Sequence, residues 1–146
     1  FVEENAGLSY SVLATDLSTD VLQTARRGIY AQDLVQPVPY DLQRKYVMTA
    51  KQAGRREVRI SPKLRSKIGF ARMNLMDDKY PVGEPMQIIF CRNVLIYFDK
   101  PTQQSVLTRL CDCLADGGYM FIGHSESITG FDLPLKQVSN TVFQKK

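Results

Sequence analysis

"QIIFCRNVLIYFDKP" spans residues 87–101. An apolar run from Ile88 to Cys91 stops at Arg92 and Asn93, and a second run from Val94 to Phe98 begins at once. Asp99 and Pro101 then carry the signals of a helix start. A short, continuously apolar run bounded by polar residues reads as a buried strand of a parallel sheet. The stretch therefore predicts strand, polar turn, helix. The helix is predicted over 100–115, with Val106, Leu107, Leu110 and Leu114 at helical spacing and Gly117-Gly118 closing it. "YMFIG" (119–123) supplies the next strand.

Working outward, the same rhythm recurs. "SVLATD" (11–16) reads as a strand ending in an acid. Ser18 offers an N-cap, Asp20 sits in the first turn, Val21, Leu22 and Ala25 face inward, and Gly28 is the stop, so a helix is predicted over 19–27. "YDLQRKYV" after Pro39 reads as a short helix with Leu42 and Tyr46 one turn apart, and "IGFARMNL" (68–75) as a strand. Strands alternating with helices predict an α/β fold with a mostly parallel sheet. The tail "LKQVSNTVFQKK" adds antiparallel strands around Ser139-Asn140. Residues 47–61 break the pattern: Val58 and Ile60 alternate with charged residues, which predicts a two-stranded hairpin with one wet face.

A chain of 146 residues, 44% hydrophobic and 23% charged, fits one soluble domain. No apolar stretch reaches the length of a membrane span, and "FVEENAGLSY" has no signal-peptide layout. Cys91, Cys111 and Cys113 give no disulfide framework and suit a reducing cytoplasm. Two residues apart on one helix, Cys111 and Cys113 point in different directions and make no zinc knuckle. His124 is the one histidine, so nucleophile–histidine machinery has little to draw on, and no metal site is expected. The total charge is +4, but Lys51, Arg55, Arg56, Arg59, Lys63, Arg65, Lys67 and Arg72 stand against Glu57 alone. A basic face on a mildly acidic body suits an anionic partner, although a solvated surface has the same composition.

In open α/β sheets ligands bind beyond the carboxyl ends of the strands. Asp16, Asn74 and the Arg92-Asn93 pair occupy such ends. A carboxylate there can accept both hydroxyls of a ribose, or it can simply cap a turn. Arg92, if buried where its strand emerges, needs an anion opposite it, either a ligand or a structural acid. Ser125 and Glu126 read as a strand-end turn.

Together, "ATDLSTDVLQTARRGIY", "NLMD", "IIFCRNVLIYFDK" and "GGYMFIGHSES" resemble the catalytic domain of CheR-type chemotaxis receptor glutamate methyltransferases, in order and across nearly the whole chain. The resemblance implies a Rossmann-like S-adenosylmethionine-dependent fold and methyl-ester formation on receptor glutamates, with S-adenosylhomocysteine as product. It implies that Asp16 holds the ribose, that Asn74 and Leu75 flank the adenine, and that Arg92 and Asn93 line the cofactor site. Tyr97 would orient the attacking carboxylate, with Arg92 facing an anionic group of cofactor or substrate. Residues 46–72 would be an inserted basic subdomain whose residues 46–61 can grip a receptor tail peptide by strand addition.

The family opens this domain with a strand and a Gly-rich loop, expected about 20 residues before the ribose acid. That position falls before Phe1, and "FVEENAGLSY" resembles the end of the helix that follows the loop. Residues 1–146 are thus expected to be a partial catalytic domain without its first strand. Weak cofactor binding and exposed strand edges open to strand exchange or oligomerisation are expected with it. A non-catalytic receptor-docking role is the alternative. A nucleic-acid methyltransferase is disfavoured, because residues 51–69 contain no aromatic short of Phe70 to stack a base.

Overall fold

The computed structural model describes Asn5 and residues 8–50 and 54–146. The chain divides into two units, residues 1–74 and 75–146. The helix end read from "FVEENAGLSY" lies largely outside the described residues, as do Lys51 and the centre of the expected hairpin.

In the first unit, β1 (Val12–Asp16) is followed by α1 (Thr19–Arg27). Ser18 caps α1 by accepting the Val21 N–H at 3.3 Å, and Gly28, at φ 61°, closes it in the left-handed conformation that glycine adopts without steric cost. Leu22 is the buried residue of the helix, and Arg26 ties its last turn to Phe70 O at 2.8 Å. That carbonyl belongs to β5 (Ile68–Arg72), which pairs in parallel with β1, Asp16 standing opposite Arg72.

Between these strands lie β2 (Ile29–Ala31), α2 (Tyr40–Tyr46), β3 (Val47–Thr49), β4 (Glu57–Ile60) and α3 (Pro62–Arg65). The expected hairpin of β3 and β4 forms, but as part of a three-stranded antiparallel sheet with β4 in the centre and β2 on its other side. With three residues, β2 carries no readable alternation in the sequence. Val58 is buried while Glu57 and Arg59 are exposed, which is the expected one-sided wetting.

In the second unit, β6 (Met86–Cys91) leads to α4 (Lys100–Cys113) and β7 (Leu114–Ile122), with β6 and β7 parallel. β8 (Leu135–Ser139) and β9 (Val142–Lys145) then run antiparallel, giving the order β6-β7-β9-β8. Asp99 caps α4 by accepting the Thr102 N–H at 3.0 Å. The core is Val106, Leu107, Leu110 and Cys111 of α4 against Leu114, Met120 and Ile122 of β7 and Phe143 of β9. The α/β class with parallel pairs and antiparallel C-terminal strands is as read from sequence. Among the described residues the strands are hydrogen-bonded as a parallel pair, the separate antiparallel sheet expected for the inserted segment, and a four-stranded mixed sheet.

Two local expectations are corrected. Gly117 and Gly118 do not close α4: the helix ends at Cys113, and both glycines lie within β7, where the register against β6 shifts between Met86 and Ile88. The helix needs no glycine because Lys145 Nζ donates to Cys111 O at 2.9 Å and Leu114 O at 2.7 Å, satisfying its last carbonyls. Gly118 serves close approach instead, since a Cβ there would stand 2.8 Å from Ala115 O and 3.0 Å from Gln87 O. The apolar run of β6 is also not uniformly buried. Its side chains alternate between faces: Ile88 and Phe90 on one are 53% and 69% exposed, Phe90 stacking on Phe121 at 4.7 Å, while Cys91 on the other is buried.

Candidate functional site

Asp16 ends β1 and is exposed. Its Oδ1 accepts the Ser18 N–H at 2.8 Å, so the turn-capping reading is realised, with Oδ2 outside that turn. Asn74 lies just beyond β5, half-buried, so the parallel pair brings Asp16 and Asn74 to the same strand ends. Leu75 opens the second unit. Its carbonyl accepts from Tyr80 Oη at 2.8 Å and from Arg109 at 3.2 Å, the guanidinium lying 5.8 Å from the Tyr80 ring.

Arg92, Asn93 and Tyr97 occupy the segment from β6 to α4. Arg92 is exposed rather than buried, so the expected cost of a buried guanidinium does not arise. The strand already ends at Cys91, which turns Arg92 into solvent. Asn93 holds φ 59° and is the one described non-glycine residue with positive φ. Asparagine tolerates this region better than most residues. A 3-10 turn, Leu95–Tyr97, follows and presents Tyr97 with 79% exposure.

The group that organises this segment is Glu126, which sequence reading placed in a strand-end turn. The turn exists, with Glu126 N–H donating to Gly123 O at 3.1 Å. The carboxylate does more. Oε1 accepts the N–H groups of Val94 at 2.9 Å and Leu95 at 2.8 Å, while Oε2 accepts that of Gly123. Successive amides around a left-handed residue form a concavity suited to an anion, and here the chain's own carboxylate fills it. Val94 has no capping side chain of its own, so Glu126 supplies the missing N-terminal cap of the 3-10 turn. Gln103 of α4 completes the other end, its Nε2 donating to Leu95 O at 3.0 Å and Phe98 O at 2.9 Å.

Burial raises the Glu126 carboxyl, but the N–H groups of Gly123, Val94, Asn93 and Leu95 outweigh it and hold the group below its ordinary value. Burial, followed by the charge of Glu126, pushes the nearby Cys91 thiol up to about 11, so Cys91 remains a neutral, unreactive thiol. The sequence held no signal that Glu126 organises the turn, because the partners it holds there lie 31 and 32 residues earlier.

The family described as "CheR methyltransferase, SAM binding domain" matches residues 1–144. The chain belongs to that family. Among its relatives, the "Chemotaxis protein methyltransferase" of Escherichia coli is 38% identical over 135 residues, covering 92% of this chain and 47% of that protein. The protein of the same name from Borreliella burgdorferi is 37% identical over 131 residues, covering 89% of this chain and 45% of its own length. That of Klebsiella aerogenes is 40% identical over 127 residues, covering 86% and 43%. The chain thus spans less than half the length of these relatives. Among solved structures, an O-methyltransferase family protein from Burkholderia thailandensis is 23% identical with a TM-score of 0.38, covering 41% of this chain and 18% of that one. A structure titled "A Pericyclic Reaction enzyme" is 15% identical with a TM-score of 0.47, covering 89% and 24%. Among the described residues, no helix is long and apolar enough to cross a membrane.

Proposed function

We propose that this CheR-family chain is the cofactor-binding part of a protein that methylates glutamate side chains of chemotaxis receptors. Membership of the family across residues 1–144 carries the reading. Each unit carries groups that suit S-adenosylmethionine: the first an exposed strand-end carboxylate for ribose hydroxyls at Asp16 and an amide at Asn74, the second an amide at Asn93 and the half-buried Leu75 for an adenine face. When bound, this cofactor supplies an electrophilic methyl group on a sulfonium.

The chain's own residues then have little proton chemistry to perform. A glutamate carboxylate, with an ordinary pKa of about 4.3, is ionised at neutral pH and needs no general base. Placing it in line is the main requirement, and such positioning can contribute roughly 7–11 kcal/mol. Tyr97, exposed at the end of its turn, is suited to donate a hydrogen bond to that carboxylate, and Arg92 to attract it. Residues 46–72 serve in this reading as the inserted receptor-docking subdomain, with 46–61 taking a tail peptide.

The test is methyl transfer from S-adenosylmethionine labelled in its methyl group to a receptor cytoplasmic fragment, using the intact protein. Label that is released by mild base as methanol is expected, since a glutamyl ester hydrolyses there. Label stable to base, or none, overturns the reading.

A further inference from the structure

We infer that Glu126 is a positioning residue of the methyl-transfer site, acting through Asn93 and Tyr97. The inference rests on the function proposed above. Three features of the second unit support it.

The first is geometric. Glu126 spans two otherwise separate pieces of chain, the end of β7 at Gly123 and the turn at Val94 and Leu95. Both carboxylate oxygens are engaged, and the residue is only 9% exposed, so it offers no acceptor to a substrate. Its work is internal.

The second is conformational. Asn93 at φ 59° sits in a sparsely populated region, and such residues persist where their surroundings over-determine them. Glu126 provides that determination by drawing successive N–H groups to one carboxylate. Gly123 completes the fit: with no side chain there, the Asn93 Oδ1 and Glu126 Oε2 lie within 2.5 Å and 2.6 Å of where a Cβ would stand.

The third is the role of the 3-10 turn. Three residues have little intrinsic persistence, and the orphan N–H groups at the start of this one are those that Glu126 takes. Gln103 fixes its carbonyl end from α4. Tyr97 is exposed, with its backbone held at both ends of the turn. Releasing Glu126 leaves Tyr97 in place in sequence but free in orientation, and a displacement of about 1 Å can cost on the order of a hundredfold in rate.

The experiment compares wild type, Glu126→Gln and Glu126→Asp in the intact protein. Gln is isosteric but turns an NH2 donor toward backbone donors, whereas Asp keeps the charge on a shorter stem. Each variant is measured for kcat and KM of receptor methylation, for urea unfolding, and for amide exchange in residues 93–98 against residues 106–122. The expected result is faster exchange at 93–98 in Glu126→Gln with α4 and β7 still protected. A fall in kcat of roughly 10-fold to 100-fold should accompany it, with receptor KM within about threefold because the docking sheet is untouched, and Glu126→Asp intermediate. Unchanged kcat and exchange overturn the inference, as does a loss that merely follows the fraction unfolded. A wild type that transfers no methyl sinks the proposed function instead. Exchange at 93–98 still decides whether Glu126 holds the turn: unaltered exchange there refutes the positioning role.

Discussion

The side-chain carbonyl of Asn93 lies over Gly123, 2.5 Å from the place a Cβ on that glycine would take. Glu126 Oε2 crowds the same point at 2.6 Å and the Asn93 backbone nitrogen at 3.0 Å. Residues at the ends of β6 and β7 therefore share one tightly filled space. Gly123→Ala is expected to destabilise the protein by about 1–3 kcal/mol, the usual cost of overpacking where backbone cannot retreat. Urea midpoints check it. A variant as stable as wild type would show that the two strand ends can part freely.

A second set of contacts distinguishes buried from exposed charge interactions. Lys145 donates to two carbonyls at the end of α4 and also lies 3.5 Å from Asp116, which is 89% exposed. Exposed ion pairs contribute about 0–1 kcal/mol, whereas hydrogen bonds from a charged donor contribute about 1.5–3 kcal/mol each, although Cys111 O keeps the Leu114 N–H as a second donor. Lys145→Met should thus lower stability by a few kcal/mol and Asp116→Asn by under about 1 kcal/mol. Thermal unfolding of both variants separates the terms, and equal effects would assign the role to the ion pair.

Elements with strong local signals were legible in the sequence. Ser18 and Gly28 bound α1, Asp99 and Pro101 open α4, and Val58 with Ile60 marks β4 as one-sided. What was not legible depends on distant partners. The end of α4 is set by Lys145, more than 30 residues on. Phe90 is exposed because it shares with Ile88 the face of β6 opposite buried Cys91, and a continuous apolar run does not say which face is covered. Of the candidate site, the residue types at 92–97 were readable, but the carboxylate that shapes their backbone was not, since hydrogen bonds to backbone amides leave no mark on the sequence of the partner segment.

Asp16 and Tyr97 should affect different kinetic constants. Asp16→Ala removes the strand-end carboxylate and is expected to weaken S-adenosylhomocysteine binding by about 10-fold or more, as loss of charge-assisted hydrogen bonds does. Tyr97→Phe keeps the ring and should lower kcat while leaving that binding within about threefold, the pattern of an interaction made mainly in the transition state. Calorimetry and steady-state rates decide. An unchanged kcat in Tyr97→Phe would remove the hydroxyl from the mechanism.

Arg55, Arg56 and Arg59 are exposed on or beside β4, and Arg55 approaches Glu57 at a distant 3.9 Å. Replacing all three with Gln is expected to weaken receptor association several-fold at low salt and to flatten its salt dependence, because screening acts on charges that are no longer there. Association measured from low to high ionic strength tests this. Identical curves for the two proteins would make the cluster a solvated surface.

Glu126 is held below its ordinary value in the folded protein, while in the unfolded chain it titrates near 4.3. Below that unfolded value the unfolded state binds the proton first, so stability must fall as pH falls. The contribution of Glu126 is complete above about pH 4.3 and disappears as the pH drops through the folded pKa. Cys91, the buried neighbour that feels its charge, stays a neutral thiol throughout this range and adds no slope. Asp99 has the same sign, lowered by its hydrogen bonds from Thr102, so Asp99→Asn, which keeps a capping oxygen, belongs in the background of both proteins compared. In that background, urea midpoints of the Glu126 protein should fall more steeply below about pH 4.3 than those of Glu126→Gln, the two curves converging in strong acid. Parallel curves would mean that the carboxylate at 126 gains nothing on folding, and that the amides of Val94 and Leu95 are held by something else.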